Sequence, residues 1–367
     1  MPFAVPLLDL GSRFSKYLPE IRLAWEDIFS RGRFILGPYL EALEEAMARR
    51  LQVPHAVGCA SGTDALLLAL RALGVGPGDE VIVPAFTFVA TAEVVARAGA
   101  SPIFVDVDPR RGLLDPEKLQ EALTSKTRAI IPVHLFGHPA PLGQILDFAQ
   151  RHSLLIIEDC AQALLSAWEG KPVGGFGDAG CFSFYPSKHL PAAGDAGLVV
   201  TKDAEVARRL KRLRNHGRQE GLHEEVGMNS RLDEIQAAVL LVQLRDLDAD
   251  LEKRRLLAQM YQQALGHLPL VLPKEAKDAT DSHLQFTIQC ERREEVKAQL
   301  ARKGVASAVY YPRPVPFEPA FSSSGQGFPV AQELCQKVLS LPLYPEMKEE
   351  AIFQVAEAMG EVFSGRP

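Results

Sequence analysis

Cysteine is sparse, with five in 367 residues. An odd number scattered along so long a chain makes no disulfide framework. Cys59, Cys160 and Cys181 lie in or beside apolar segments, where reduced core thiols belong. No apolar run nears the roughly 18 residues of a membrane span. The opening MPFAVPLLDLGSRFSKY also lacks the basic start and long apolar stretch of a secretory signal. A cytoplasmic protein with no membrane partner is therefore expected. Positive charge is short as well: the net charge of −6 gives no general attraction to nucleic acid. Repeats at periods of 20 to 50 residues and low-complexity tracts are missing too.

Two further absences concern motifs. There is no G-x-S-x-G elbow, which counts against an α/β-hydrolase. The one G-x-G-x-x-G match, Gly175 to Gly180, follows Lys171-Pro172 and opens a strand. A dinucleotide fingerprint must follow a strand and open a helix, so a nicotinamide dehydrogenase is set aside. His134 and His138 are four apart, but Gly137 and Pro139 break any helix that would align them, and no carboxylate in the sequence pattern completes a set. No metal site is expected.

What is present is an ordinary globular composition, 47% apolar and 23% charged, over a length that allows one large α/β domain and a smaller one. A helical pattern around Ile21 to Phe29 leads to the loop Gly32 to Pro38. Its apolar centre, Phe34-Ile35-Leu36, suggests contact with another chain. Apolar runs at His55–Gly58, Val81–Pro84, Ala129–Val133, Leu154–Ile157 and Cys181–Tyr185 alternate with helical stretches, as parallel strands covered on both faces do. One of those helices is expected over Pro116–Leu123 and another, basic and amphipathic, after Asp203. Asn229 to Asp233 reads as the opening of a long helix, with Ser230 and Asp233 as its cap. A boundary near residue 245 separates a C-terminal α+β layer, with strands LQFTIQC and VASAVYY, from the larger part.

Chemistry concentrates at the strand ends. Asp159 closes the run Leu154–Ile157, and ligands bind at the carboxyl ends of strands in open α/β sheets. Lys188 follows the run that breaks at Pro186. A carboxylate and a lone amine in those places suit pyridoxal phosphate, which needs an amine to bond its aldehyde and an acid to keep its ring nitrogen protonated. A helix cap at Asp159 and a solvated loop amine at Lys188 are the plainer alternatives. Ser61-Gly62-Thr63-Asp64 is a dense helix start whose N–H groups could hold a phosphate or merely cap. Phe86 or Phe88 at another strand end could stack on a flat ring, or be core.

Taken together, SGTDAL, PGDEVIVPAFTFVAT, EDCAQA, CFSFYPSKHL, GMNSRLDEIQAAVL and LSLPLYPEM resemble the pyridoxal-phosphate-dependent sugar-nucleotide aminotransferases of the DegT/StrS type, which have the aspartate-aminotransferase fold (fold type I). The likeness runs from about Gly32 to about Met347. It implies a large three-layer α/β/α domain with a mostly parallel sheet over residues 1–245 and a smaller C-terminal α+β domain over 246–367. It further implies pyridoxal 5'-phosphate bonded to Lys188, with Asp159 on the ring nitrogen, Gln162 near the ring hydroxyl and Phe88 stacked on the ring. Gly62, Thr63 and Ser183 would hold the phosphate. Asn229 and Arg231 would reach the neighbouring site of a homodimer, while Tyr311 and Pro312 line the substrate mouth and His134 faces the cofactor.

Departures are small. Cys160 stands where alanine is usual, Ala196 where glycine is, and His189 where asparagine is. A related branch of sugar 3-dehydratases carries histidine in place of the lysine; Lys188 favours transamination. The expected reaction moves an amino group from an amino acid, glutamate above all, to a keto group of a nucleotide-linked sugar. Elimination or another carbonyl substrate on the same fold, and a non-enzymatic regulator that binds the coenzyme, are the rivals.

Overall fold

The computed structural model describes residues 3–321 and 327–364. A seven-stranded sheet organises it: β1 (His55–Cys59), β2 (Glu80–Pro84), β3 (Ser101–Val105), β4 (Thr127–Ile130), β5 (Leu155–Asp159), β6 (Ala179–Ser183) and β7 (Gly197–Thr201). Their spatial order is β1-β7-β6-β5-β4-β2-β3. β7 runs antiparallel to both its neighbours, and the remaining pairs are parallel. Each face of the sheet is covered, so successive residues enter different cores. Val199 packs on one face with Leu66 to Leu70, whereas Leu198 and Val200 join Leu40, Leu43 and Phe182 on the other.

Helix α1 (Leu10–Arg31) leads to α2 (Pro38–Arg50), and α3 (Gly62–Ala72) follows β1. α3 is buried nearly all round, as a helix laid across the middle of a sheet must be. α4 (Ala90–Arg97), α5 (Leu142–His152) and the basic α6 (Ala204–Leu213) cover further parts of the sheet. A pair of long helices, α7 (Glu234–Leu244) and α8 (Leu247–Leu265), then leads to a two-stranded antiparallel sheet of β8 (Phe286–Gln289) and β9 (Val338–Leu341). That strand pair forms its own core with α8, α9 (Arg293–Arg302) and α11 (Glu350–Ser364), in which Tyr261 stacks on Phe286 at 4.8 Å and Val5 joins from the N-terminus. α10 (Pro329–Lys337) packs separately, with Phe86 and Phe136.

Three local expectations are corrected. The segment 305–311 is not a strand: it makes only single bridges, Val305 to Val5 and Ala308 to Ser340, before its tyrosines turn toward Phe86. Residues 116–123 form a 3₁₀ turn, Pro116–Lys118, and one α-helical turn, Leu119–Ala122. The helix expected from Asn229 begins at Glu234, and no side chain caps it. Ser230 is occupied elsewhere: its hydroxyl donates to Asp64 at 2.7 Å and accepts the N–H of Ala60 at 3.2 Å.

A candidate coenzyme site at the carboxyl end of the sheet

Asp159 ends β5, and the turn carrying Lys188 follows β6, the strand paired with it. The Asp159 carboxylate is buried and takes two donors, the Thr91 hydroxyl at 2.9 Å and the Ala161 N–H at 3.1 Å. Burial raises its pKa, while those two donors and the charge of Lys188 act the other way. Lys188 is half-buried, with its backbone N–H on the Tyr185 carbonyl at 2.8 Å. Desolvation pushes its amine down to about 8, opposed by Asp159. The structure thus brings both candidates into one electrostatic neighbourhood.

Ser61 caps α3 as its sequence suggests, accepting the Asp64 N–H at 3.0 Å. That leaves the N–H groups of Gly62 and Thr63 in the first turn, which a helix does not satisfy internally. Ser183 closes over them: a Cβ on Gly62 would stand 2.6 Å from the Cβ of Ser183. Only glycine lets the helix start pack this closely against Ser183, and its first-turn N–H groups are of the kind that hold an anion. The first-turn amides at Gly62 and Thr63, the buried acid of Asp159 and the depressed amine of Lys188 fit a phosphorylated aldehyde with a basic ring nitrogen, and so fit pyridoxal phosphate.

Gln162 bridges the two halves of the chain. Its Oε1 accepts the Phe136 N–H at 2.9 Å, and its amide donates to the Tyr311 hydroxyl at 2.9 Å. Phe88 is 52% exposed, with its ring 6.1 Å from that of Tyr311, whereas Phe86 is core. Of the two phenylalanines, only Phe88 is free to meet a ligand. Asn229 is exposed and bridges Asn215, to which Arg231 also donates at 2.8 Å; the buried Nε of Arg231 has no hydrogen-bond partner. His189 is buried with Nε2 3.2 Å from the Ser282 carbonyl, tying the turn of Lys188 to the chain beyond α8.

His134 is not open to a ligand. It has no exposed surface; Nδ1 accepts the Ala140 N–H at 2.9 Å and Nε2 lies 3.1 Å from Glu158. In a neutral ring that arrangement puts the proton on Nε2, donating to the carboxylate. Sequence reasoning also missed that both histidines meet an acid, since His138 pairs with Asp281. Donor atoms of His134, Glu158 and Cys160 fall within 4.8 Å of one another. Yet Glu158 is already saturated by N–H donors, and burial pushes the Cys160 thiol well up, away from the thiolate a metal would need.

Another missed group is Glu234, whose buried carboxylate accepts the N–H groups of Gly37, Tyr39 and Leu40 at 3.0, 3.0 and 2.9 Å. The basic stretch, in turn, is not a free cationic face. Arg209 and Arg212 pair with Glu224 and Glu225, and Arg214 with the half-buried Glu44. No helix among the described residues is long and apolar enough to cross a membrane.

Comparison with known proteins agrees with this geometry. A UDP-N-acetyl-3-dehydro-alpha-D-glucosamine 3-aminotransferase of Acidithiobacillus ferrooxidans is 48% identical over 364 residues, covering 99% of each chain. A protein of Geobacillus stearothermophilus called a pleiotropic regulatory protein is 44% identical over 367 residues, covering 98% of each. The crystal structure of DesV from S. venezuelae, in complex with a ketimine intermediate, superposes with a TM-score of 0.96 at 42% identity and covers 99% of each chain. The model of the DegT/DnrJ/EryC1/StrS aminotransferase family matches residues 18–360, and the chain belongs to that family.

Proposed function

We propose that this aminotransferase uses pyridoxal 5'-phosphate to move an amino group from L-glutamate to a keto group of a nucleotide-linked sugar. The buried acid of Asp159 acting on the depressed amine of Lys188 carries this reading. The 48% identity to an enzyme named for a 3-keto UDP-N-acetylglucosamine derivative makes that compound the first acceptor to try. Bound here, the coenzyme would supply an electron-withdrawing ring that stabilises charge left on carbon when a proton departs.

The chain's residues do the rest. Lys188 would hold the coenzyme through its aldehyde carbon, the carbonyl oxygen leaving as water, and its freed amine would move a proton between the donor's α-carbon and the coenzyme's C4′. Asp159 accepts the ring N–H and keeps that nitrogen protonated. Gly62, Thr63 and Ser183 hold the phosphate, Gln162 meets the ring hydroxyl, and Phe88 stacks on the ring. Tyr311 and Pro312 line the mouth. Asn229 and Arg231 serve the site of a second copy in a homodimer that works in the cytoplasm. The loop of Phe34 and Ile35, 38% and 39% exposed, faces that copy. The large domain ends near residue 245, between α7 and α8.

An absorption scan of purified protein tests cofactor and half-reaction together. A visible band should disappear on adding glutamate and return with a keto-sugar nucleotide, with the glutamate nitrogen traced into the product. A product that has lost water and gained no nitrogen would point to elimination.

A further inference from the structure

Glu158 has no exposed surface, directly precedes Asp159, and has no task in the chemistry above. Strand alternation sends the two carboxylates to opposite faces. On its own face Glu158 is surrounded: Oε1 accepts the N–H groups of Phe176 and Gly177, each at 2.8 Å, and Oε2 accepts that of Gly174 at 2.8 Å and faces His134 Nε2 at 3.1 Å. The loop that supplies these donors overlaps the G-x-G-x-x-G pattern. Its glycines allow a close wrap, since a Cβ on Gly174 would stand 2.6 Å from the Phe182 ring and one on Gly177 2.6 Å from the Ile156 carbonyl. The pattern therefore holds an anion after all, but the anion is the protein's own.

His134 grips both acids. Its ring meets Glu158, and its backbone N–H donates to the Asp159 carbonyl at 3.0 Å. Asp159 N–H donates to the Pro132 carbonyl at 2.9 Å, and Cys160 N–H to that of Cys181 at 2.8 Å. The end of β5 is thus pinned from both neighbouring strands and from the loop.

We propose that Glu158, His134 and the Gly174–Gly177 loop form a clamp that positions Asp159 under the coenzyme's ring nitrogen. Glu158 and His134 are then positioning residues, an assignment that rests on the coenzyme reading above. Two buried carboxylates in succession would raise each other's proton affinity. Here burial pushes Glu158 up, but His134 and the glycine amides outweigh it and hold the carboxyl below the usual range. The charge of Glu158 is absorbed locally, so what raises the Asp159 carboxyl is its own burial, opposed by the Ala161 and Thr91 donors and by Lys188. The other titratable groups acting with Asp159 are Lys188, Tyr311, Cys160 and Cys181, and burial pushes the phenol and both thiols up, leaving them neutral.

The test compares wild type, Glu158→Gln, His134→Leu and His134→Gln, each reconstituted with pyridoxal phosphate. The readouts are coenzyme affinity and the pH midpoint of the visible band. A loosened Asp159 leaves the ring less electron-withdrawing, so the nitrogen joined to Lys188 keeps its proton to higher pH. Glu158→Gln and His134→Leu should raise the midpoint by more than about half a pH unit. His134→Gln, whose amide still donates to Glu158, should lie near wild type. Combining Glu158→Gln with His134→Leu should add little beyond either alone. If Glu158→Gln does not fold, His134→Leu carries the same test, because it leaves the amide donors on Glu158. Variants that melt lower yet keep the wild-type midpoint would overturn the clamp and leave a structural role alone. A wild type that binds no coenzyme would overturn the site reading, and the clamp with it.

Discussion

Two stretches of this chain gather backbone N–H groups around a glycine, and they have opposite fates. At the start of α3, the first-turn amides of Gly62 and Thr63 lie beside Ser183 and, among the described residues, have no carboxylate of the fold on them. In the Gly174–Gly177 loop, three amides close on Glu158 at 2.8 Å each. Both are anion cradles in the same physical sense. The second is filled by a side chain that arrives with folding, so its contribution is to stability and geometry. The first depends on an external anion, so its contribution appears on binding. Glycine content alone does not distinguish them; what does is whether a carboxylate of the same fold reaches the amides.

The comparison can be sharpened by substitution. The largest effect belongs to the open site: Lys188→Ala should lower turnover by at least about 1,000-fold, with coenzyme still binding noncovalently in an equilibrium titration. An active Lys188→Ala protein would end the assignment. Next comes the helix start. Gly62→Ala places a Cβ 2.6 Å from Ser183 and should weaken coenzyme binding by about 100-fold in the same titration. Gly177→Ala should act mainly on stability, costing about 2 kcal/mol of unfolding free energy as the loop is forced from the Ile156 carbonyl, read by urea titration of the apoprotein, with a smaller loss of coenzyme affinity than Gly62→Ala. Equal effects of the two alanines on coenzyme affinity would break the distinction.

A gentler probe is pH. Burial holds the Lys188 amine near 8, below its ordinary 10.5, and only the neutral amine attacks an aldehyde. Capture of pyridoxal phosphate by apoprotein, followed by stopped-flow absorbance, should quicken as pH rises to about 8 and level off above it. The same depressed value means the unfolded chain binds the extra proton between about 8 and 10.5. This group's contribution to stability therefore rises with pH across that window. The smallest effect is expected at Ser61→Ala, where loss of the cap on Asp64 N–H costs about 1 kcal/mol in the same urea titration.

Much of the sheet was legible because its strands are short branched runs buried on both faces, and Asp159 and Lys188 were legible because they interrupt such runs at one end. Local chemistry was also readable at Ser61, whose partner lies three residues on. What escaped the sequence was whatever depends on distant partners. Ser230 has an ordinary capping pattern with Asp233, yet its hydroxyl is claimed by Asp64 and Ala60, far back in the chain. His134 stands at a strand end like Asp159, but its ring is taken by Glu158 and the Ala140 amide. The apolar alternation of 305–311 suggested a strand, and with only single bridges on offer the segment gives its tyrosines to the aromatic cluster instead. Glu158 carries no signal in the sequence, since no local pattern announces a carboxylate that a loop will enclose.

Glu234 bears on the loop that the proposed homodimer would use. Its carboxylate fastens the amides of Gly37, Tyr39 and Leu40, while its own N–H bonds the Phe34 carbonyl at 3.0 Å. Phe34 and Ile35 are thereby held in place within the single chain, so in the proposed homodimer a second copy would meet a loop already ordered by folding. The entropy of ordering it would then fall on folding rather than on association.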